Sequence, residues 1–273
     1  MSGVTKWIIS QSEKLPMFKK IVGKSMTKSI MTASIDIQDL RGLPYIKKPD
    51  AINLINSAFN NKYGGLFVII APPGSGKSTY LRNCCNQFIQ SGGHVRYLSS
   101  DISTRAQFYE AFGGIDRSSD LFNVMPPKSV IVLDQIEKLY PLSFEMKGLL
   151  GHLAVESRRV AEKNIVVSVS SIDCAKEILS LNGYDKIQQV GHCQDFMWHE
   201  NQIDEFLCGS IFSNLTSEQK MQIRDSAITA ACPGFLYTVA DRVSSGYPKN
   251  DSLLKLRAEQ YQKTWSDFCS VQF

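Results

Sequence analysis

The chain reads Ala71-Pro72-Pro73-Gly74-Ser75-Gly76-Lys77-Ser78-Thr79 directly after the apolar run Leu66-Phe67-Val68-Ile69-Ile70. The apolar run predicts a buried strand, and the small residues after it predict a turn whose backbone N–H groups converge. Residues from Tyr80 to Ile89 then recur with helical spacing, and Ser91-Gly92-Gly93 end that helix. A turn between a buried strand and a helix N-terminus is suited to binding phosphate oxygens.

This order of residue types is that of a P-loop, or Walker A motif, with Ala71 where the first glycine usually stands. Lys77 is expected to reach the β- and γ-phosphates of a nucleotide, and the Ser78 hydroxyl is expected to be a ligand of Mg²⁺. We therefore predict ATP and Mg²⁺ as cofactors. The predicted nucleotide-binding residues of the turn are Pro73, Gly74, Ser75, Gly76, Lys77, Ser78 and Thr79.

A second short apolar run, residues 130–133, ends in Asp134 and follows the pair Pro126-Pro127. It predicts a Walker B strand, parallel to the P-loop strand and next to it, whose Asp134 carboxylate holds the Mg²⁺ shell. The alternative is that Asp134 is only the N-cap of a helix.

Gln135 follows Asp134. The two motifs resemble those of AAA+ ATPases, in which a Glu at this place usually polarises the attacking water, whereas an amide can orient water but cannot accept its proton. The order Asp-Gln-x-Glu is similar to that of the STAND branch of these ATPases, which implies that Glu137 acts from the first turn of the next helix. The alternative is that Glu137 only complements a helix dipole or pairs with a surface lysine.

Five apolar runs alternate with helical patterns between residues 66 and 190. This alternation predicts an α/β fold, with a parallel five-stranded sheet covered by helices. The fourth run, residues 165–169, is followed by Ser170 and Ser171. The AAA+ resemblance implies that one of these serines is the sensor-1 residue near the γ-phosphate, while a helix N-cap near Asp173 is the alternative role. The predicted catalytic residues are Lys77, Asp134, Gln135, Glu137 and Ser170.

From Trp198 onward the helical patterns continue to the end of the chain, which predicts a small helical lid. The segment around Pro233 resembles the Gly-x-Pro element in the lids of origin-recognition-like and STAND ATPases, with Ala231 replacing the usual Gly. This resemblance implies that Pro233 lies near the nucleotide base, as does a linker that includes Pro44, Tyr45 and Ile46. The alternative for the linker is a loop with ordinary core contacts. The sensor-2 arginine often found after the lid element is absent, because Phe235 and Leu236 stand there.

We predict three regions: a basic amphipathic N-terminal segment (residues 1–35), a P-loop ATPase core (36–196), and a helical lid with C-terminal helices (197–273). The first segment has several lysines and one acid, Glu13. Three interpretations stay open for it: a helix packed on the core, a membrane-surface or targeting helix, and a phosphate-binding arm. Nucleic acid or an anionic surface is thus a candidate partner. A homo-oligomer is another candidate partner, if Arg158 or Arg159 completes a neighbour's phosphate site; the alternative is that both are ordinary solvated charges of a helix.

Composition limits the other classes of function. The net charge of +4 is too small to indicate nucleic-acid binding by itself, and no apolar run approaches the ~20 residues of a membrane span. Seven cysteines occur without a C-x-x-C pair, which predicts reduced thiols without disulfides and an intracellular protein, cytoplasmic or, as the alternative, targeted to the nucleus or an organelle.

The motifs together predict a Mg²⁺-dependent ATPase that couples ATP binding and hydrolysis to conformational change or assembly, with nucleic acid as one candidate target. The alternative is a non-hydrolysing or slow nucleotide switch that acts through protein partners, which Gln135 favours. A kinase-like phosphotransferase is disfavoured by the order Asp-Gln-Ile-Glu and by the Pro233 lid element.

Overall fold

A computed structural model describes residues 45–99, 104–112, 117–181, 187–190, 193–230, 232–244 and 251–271. The predicted N-terminal segment, residues 1–35, lies outside the described residues, as do Pro44 and Ala231. The interpretations of that segment therefore stay predictions.

The described residues contain a sheet of five parallel strands in the order β2-β3-β4-β1-β5. This sheet confirms the predicted α/β class. The predicted adjacency of the Walker B strand and the P-loop strand is wrong, because β4 lies between β3 and β1 and pairs with both. The strands are β1 (Gly65–Ile70), β2 (His94–Leu98), β3 (Ser129–Leu133), β4 (Lys163–Val169) and β5 (Ile187–Val190).

Helices cover both faces of the sheet and form the C-terminal part of the chain. Short 3₁₀ helices span Ile136–Leu139, Cys193–Phe196 and Ser210–Phe212. The α-helices of the described residues are α1 (Pro49–Phe59), α2 (Lys77–Gln90), α3 (Arg105–Glu110), α4 (Ser118–Val124), α5 (Phe144–Arg159), α6 (Ile172–Leu179), α7 (Glu200–Leu207), α8 (Ser217–Ala230), α9 (Pro233–Ser244) and α10 (Asp251–Cys269).

Strand β1 shows how the sheet is buried on both faces. Leu66, Val68 and Ile70 pack into a core with α5 and α6, while Phe67 and Ile69 pack into a second core with α1 and α2. Because side chains alternate along a strand, a strand buried on both faces must be apolar throughout, as this one is. The continuous apolar run in the sequence follows from this position.

The helices after Trp198 enclose a third core, to which α7, α8 and α9 contribute Ile203, Phe206, Ile223 and Phe235. The last turns of α10 leave this core, since Trp265 and Phe268 pack into the two cores of the sheet. The proposed division between residues 196 and 197 stays a prediction. No helix in the described ranges is long and apolar enough to cross a membrane.

The cysteines differ in one respect from the sequence prediction. Cys84, Cys85, Cys174, Cys208 and Cys232 are free thiols, but Cys269 is disulfide-bonded. The prediction of reduced thiols throughout is therefore wrong for Cys269. Spacing along a chain does not reveal which sulfur atoms the fold brings within bonding distance.

Asn164 generates a test of the packing between α1 and β4. It is 1% exposed, and its Nδ2 donates to the carbonyls of Phe59 and Asn61, both at 3.0 Å. We expect Asn164→Ala to lower the free energy of unfolding by about 2–4 kcal/mol in urea titrations, because one buried and one partly buried carbonyl lose their donor and a cavity remains. The exposed Asn60, whose Nδ2 also donates to a carbonyl, supplies the control, and Asn60→Ala should change it by less than about 0.5 kcal/mol. Equal effects would contradict this account.

Candidate functional site

The predicted P-loop joins β1 to α2 at the carboxyl edge of the sheet. Gly74 and Gly76 have φ angles of 76° and 84°, in the left-handed region that favours glycine. Gly76 is the N-cap of α2, and no side chain caps the helix there. The first N–H groups of α2 therefore remain available to an anion.

Lys77 is folded back onto this turn. Its ammonium group donates to the carbonyl oxygens of Ala71 at 2.6 Å and Pro72 at 3.1 Å, and to the hydroxyls of Ser75 at 3.3 Å and Ser170 at 2.6 Å. Lys77 is 5% exposed. Burial lowers its pKa to about 8, although nearby carboxylates, first Glu137 and then Asp134, act in the opposite direction.

The sheet explains why Ser170 reaches Lys77. Val169, the last residue of β4, pairs with Ile70, the last residue of β1, so the next residue of each strand emerges at the same place. Ser171 has the other role that the sequence left open, because its hydroxyl accepts from the Cys174 N–H and caps α6. The two candidate serines thus separate, with Ser170 at the P-loop and Ser171 at the helix.

Asp134 is buried at the end of β3 between two hydroxyl donors. The Tyr97 hydroxyl donates to its Oδ2 and the Ser168 hydroxyl to its Oδ1. Tyr97 lies on β2 and Ser168 on β4, the two strands that flank β3. The Arg82 guanidinium lies 5.6 Å from the centre of the Tyr97 ring. Burial and the Asp134 carboxylate raise the pKa of Tyr97 far above its usual value, so its hydroxyl remains a donor.

Gln135 and Glu137 follow on the same loop. Gln135 has a left-handed backbone, with φ of 60°; its N–H donates to the Ser168 hydroxyl at 3.2 Å, and its Nε2 lies 3.5 Å from the Ser78 hydroxyl. Glu137 is in the 3₁₀ helix after β3. Its Oε2 is buried and accepts no hydrogen bond from the described part of the chain. Glu137 therefore has a carboxylate oxygen that no described donor occupies.

A cavity of about 530 Å³ lies beside the P-loop, but Asp134, a predicted catalytic residue and Mg²⁺ ligand, is not among the residues that line it. Every residue from Pro73 to Thr79 lines it, and so do Gln135, Glu137 and Ser170. Its lining also includes three residues that sequence reasoning missed, namely Lys138, Gly234 and Tyr237. The cavity thus brings the P-loop, the Walker B loop, the end of β4 and the lid helix α9 together.

Tyr45 and Pro233 do not line this cavity. The Tyr45 ring meets the Tyr80 ring edge-on at 6.0 Å, and its hydroxyl accepts from Asn83 Nδ2 at 2.5 Å. Pro233 is the first residue of α9, directly before Gly234. Their assignment to a base pocket stays a prediction.

Of the site residues that were not predicted, one had a recognisable signal in the sequence and the others had none. Ser168 is a lone hydroxyl within the apolar run of β4, two residues before Ser170 and thus on the same side of the strand, which was a usable signal. Tyr97 and Tyr237 carried no such signal, because an aromatic residue in an apolar pattern indicates a core position first.

The buried ammonium group of Lys77 generates a prediction about pH. Its pKa is lower in the folded than in the unfolded protein, so unfolding takes up a proton between about pH 8 and pH 10.5, and folded stability must rise with pH in that window. We expect the free energy of unfolding of the wild type, relative to Lys77→Met, to rise there by up to about 1.4 kcal/mol per pH unit. Urea titrations without nucleotide measure it, with Lys62→Met at an exposed site as the control. A difference that stays constant with pH would disprove the burial argument.

Comparisons with known proteins bear on the fold. No family model and no curated protein matches the sequence. Among solved structures, the Walker-type ATPase PABY2304 of Pyrococcus abyssi is similar, with a TM-score of 0.54 and 11% identity over 84% of this chain and 76% of that one. Domain III of the Thermotoga maritima replication initiation protein DnaA gives a TM-score of 0.47 and 12% identity over 83% and 95% of the two chains. The Aeropyrum pernix ORC1 protein, solved in complex with DNA, gives a TM-score of 0.46 and 13% identity over 82% of this chain and 68% of that one.

At such low identity, the similarity concerns the arrangement of strands and helices. The sheet order, the loop after β1 and the comparison with the Pyrococcus abyssi ATPase agree. The chain therefore has the fold of a P-loop nucleoside triphosphatase, as its sequence motifs predict.

Proposed function

We propose that this protein binds ATP with Mg²⁺ and hydrolyses it, and that the nucleotide controls the position of the helical lid. One observation carries the proposal. Lys77, Ser170 and Glu137 line one cavity whose remaining wall is largely the P-loop, the Lys77 ammonium donates to the Ser170 hydroxyl, and one Glu137 carboxylate oxygen has no hydrogen-bond partner among the described residues. A cation, a hydroxyl donor and a proton acceptor are the groups that in-line attack of water on a phosphoanhydride requires.

The cavity fits a nucleotide in size and in chemistry. Its volume of about 530 Å³ lies within the range of about 300–1,000 Å³ that is usual for small-ligand sites. Backbone N–H groups at the start of α2 and the ammonium group of Lys77 suit the phosphates. Ser78 and Asp134 offer the oxygen ligands that Mg²⁺ prefers, and the bound ion would neutralise charge on the β- and γ-phosphates.

The contacts of Lys77 suggest how its side chain would move when a nucleotide binds. Its ammonium group donates to two backbone carbonyls and two hydroxyls, all neutral acceptors. A phosphate oxygen is charged and accepts a stronger hydrogen bond, so Lys77 would turn toward it and leave the carbonyls. Ser170, which shares the Lys77 ammonium, would then face the same phosphate.

Glu137 would take the proton of the attacking water. Its buried Oε2 lacks a donor, and a small rotation of the carboxylate toward the cavity would let it accept from a water molecule there. Gln135 lies beside Ser78 and would orient that water through its amide, because an amide cannot accept the proton itself. Asp134, held by Tyr97 and Ser168, would remain a ligand of the Mg²⁺ shell and not a base.

A nucleotide switch is the second candidate function, and Gln135 favours it. Without a carboxylate directly after Asp134, proton transfer depends on Glu137 alone, and slow hydrolysis would leave the ATP-bound form long-lived. Protein partners would then recognise the position of the lid. Nucleic acid or an anionic surface stays the predicted partner of residues 1–35, and a homo-oligomer stays a prediction.

Phosphate release from Mg·ATP under single-turnover conditions tests the proposal. We expect the wild type to release phosphate, Lys77→Ala to release none, and Glu137→Gln to be slower by about 10²- to 10⁴-fold because the proton acceptor is lost. Glu145→Gln is the matched control, since Glu145 is exposed on α5 and does not line the cavity.

Equilibrium binding of fluorescent ATP completes the test. Binding without phosphate release in the wild type would favour the switch. A wild type that binds no ATP would rule out both candidate functions.

A further inference from the structure

The lid helix α9 contacts the P-loop directly through Gly234. The Gly234 N–H donates to the carbonyl of Gly74 at 2.7 Å. A Cβ atom on Gly234 would lie 2.7 Å from the Gly74 Cα and 3.0 Å from its carbonyl oxygen, closer than packed atoms allow. Only glycine therefore permits this approach, and the contact fixes the first turn of α9 against the phosphate-binding turn.

Tyr237 follows Gly234 by three residues, which places both on the same face of α9. Both line the cavity that holds Lys77 and Glu137. The helix thus presents one face to the P-loop, with a backbone contact at its start and an aromatic side chain one turn later. Tyr237 is the side chain that the lid contributes to the described lining of the cavity.

The ring of Tyr237 is held by the core of the lid. Its centre lies 5.2 Å from that of Phe206 and 6.3 Å from that of Trp198. The Trp198 Nε1 in turn donates to the Tyr80 hydroxyl at 3.0 Å, and Tyr80 belongs to α2, the helix that begins at the P-loop. Two separate contacts, Gly234 to Gly74 and Trp198 to Tyr80, therefore place Tyr237 relative to the phosphate-binding turn.

The chemistry of a phenol suits a phosphate at this place. Burial raises the pKa of Tyr237 to about 12, so the hydroxyl is protonated at neutral pH and can donate. It adds no charge, unlike the arginine that the lid lacks after Pro233. A neutral donor to a charged oxygen still forms one of the stronger hydrogen bonds in proteins.

We propose that Tyr237 is a nucleotide-binding residue whose hydroxyl donates to a phosphate oxygen, so that the lid senses the phosphate chain through a neutral donor held by the Gly234–Gly74 contact. This inference rests on the proposed function, because it assigns a residue to the same nucleotide site. It adds that the lid detects the phosphates and not only the base.

Affinity measurements with two probes test the inference. We expect Tyr237→Phe to weaken binding of Mg·ATP by about tenfold to a hundredfold, since a hydrogen bond to a charged group is lost while the ring stays packed. Binding of inorganic tripolyphosphate should weaken by the same factor, because this probe has no base or ribose. Tyr109→Phe, in the buried core around α3, is the matched control and should change neither affinity.

The outcomes separate the inference from the proposed function. A wild type that binds neither probe overturns the function. If the wild type binds both probes and Tyr237→Phe binds them with unchanged affinity, only the inference is overturned. The same holds if Tyr237→Phe loses affinity for ATP but not for tripolyphosphate. Gly234→Ala provides a second variant. It should bind both probes more weakly, because its methyl group displaces α9 from Gly74. Unchanged affinity in that variant would also overturn the inference, and thermal unfolding confirms that each variant is folded.

Discussion

Strand β4 lies between β1 and β3, and its parallel pairing with both neighbours is the constraint on which the site depends. Its side chains alternate, so that Val167 and Val169 enter the core with α5 and α6, while Ser168 and Ser170 point to the opposite face. A shift of the register by one residue would place both hydroxyls in an apolar core and remove them from Asp134 and Lys77. The hydrophobic packing of β4 therefore specifies the polar contacts of the site.

The same arrangement explains how the structure tolerates two buried charges. Asp134 receives two hydroxyl donors, and the Lys77 ammonium donates to two carbonyls and two hydroxyls. These partners are neutral, so they satisfy the hydrogen-bonding groups without cancelling the charges. The pKa of Lys77 is lowered because burial still disfavours its charged form. A ligand with negative charge would relieve that cost, which is a physical reason for this pocket to favour phosphates.

The elements of the fold were largely predictable from sequence, whereas their order was not. A buried parallel strand must be apolar along its length, so the runs of β1, β3 and β4 were visible, and a tight phosphate-binding turn requires small residues, so the P-loop was visible as well. Strand order depends on which helices cross which face, and a local pattern does not encode it. For this reason the sequence analysis placed β3 beside β1, whereas β4 lies between them. It also hid Ser168 as a partner of Asp134, because that contact exists only when β4 lies beside β3.

Contacts between the lid and the core were harder to predict, because they join residues far apart in the sequence, 118 positions for Trp198 and Tyr80. The bond between Gly234 and Gly74 is made by backbone atoms, so side-chain patterns do not reveal it. Tyr237 has the same apolar spacing as its neighbours in α9, and its hydroxyl becomes relevant only once the helix lies on the P-loop. Ser170 and Ser171 show the converse case. The sequence limited the choice to two adjacent hydroxyls, and the end of β4 determines which one turns toward Lys77.

In the proposed function, the groups that bind the nucleotide differ from the group that takes the proton during hydrolysis. Both oxygens of Asp134 already accept hydrogen bonds, and Gln135 offers an amide directed toward Ser78. These groups can orient a metal shell and a water, but both Asp134 oxygens already accept from hydroxyls and the Gln135 amide cannot accept a proton. Glu137 is different, because its buried Oε2 accepts no hydrogen bond from the described residues and it lines the cavity beside Lys77. Under the proposed function, the affinity for phosphates would arise from the P-loop, Lys77 and the lid, whereas turnover would depend on the one carboxylate of Glu137, which stands two residues after the usual place.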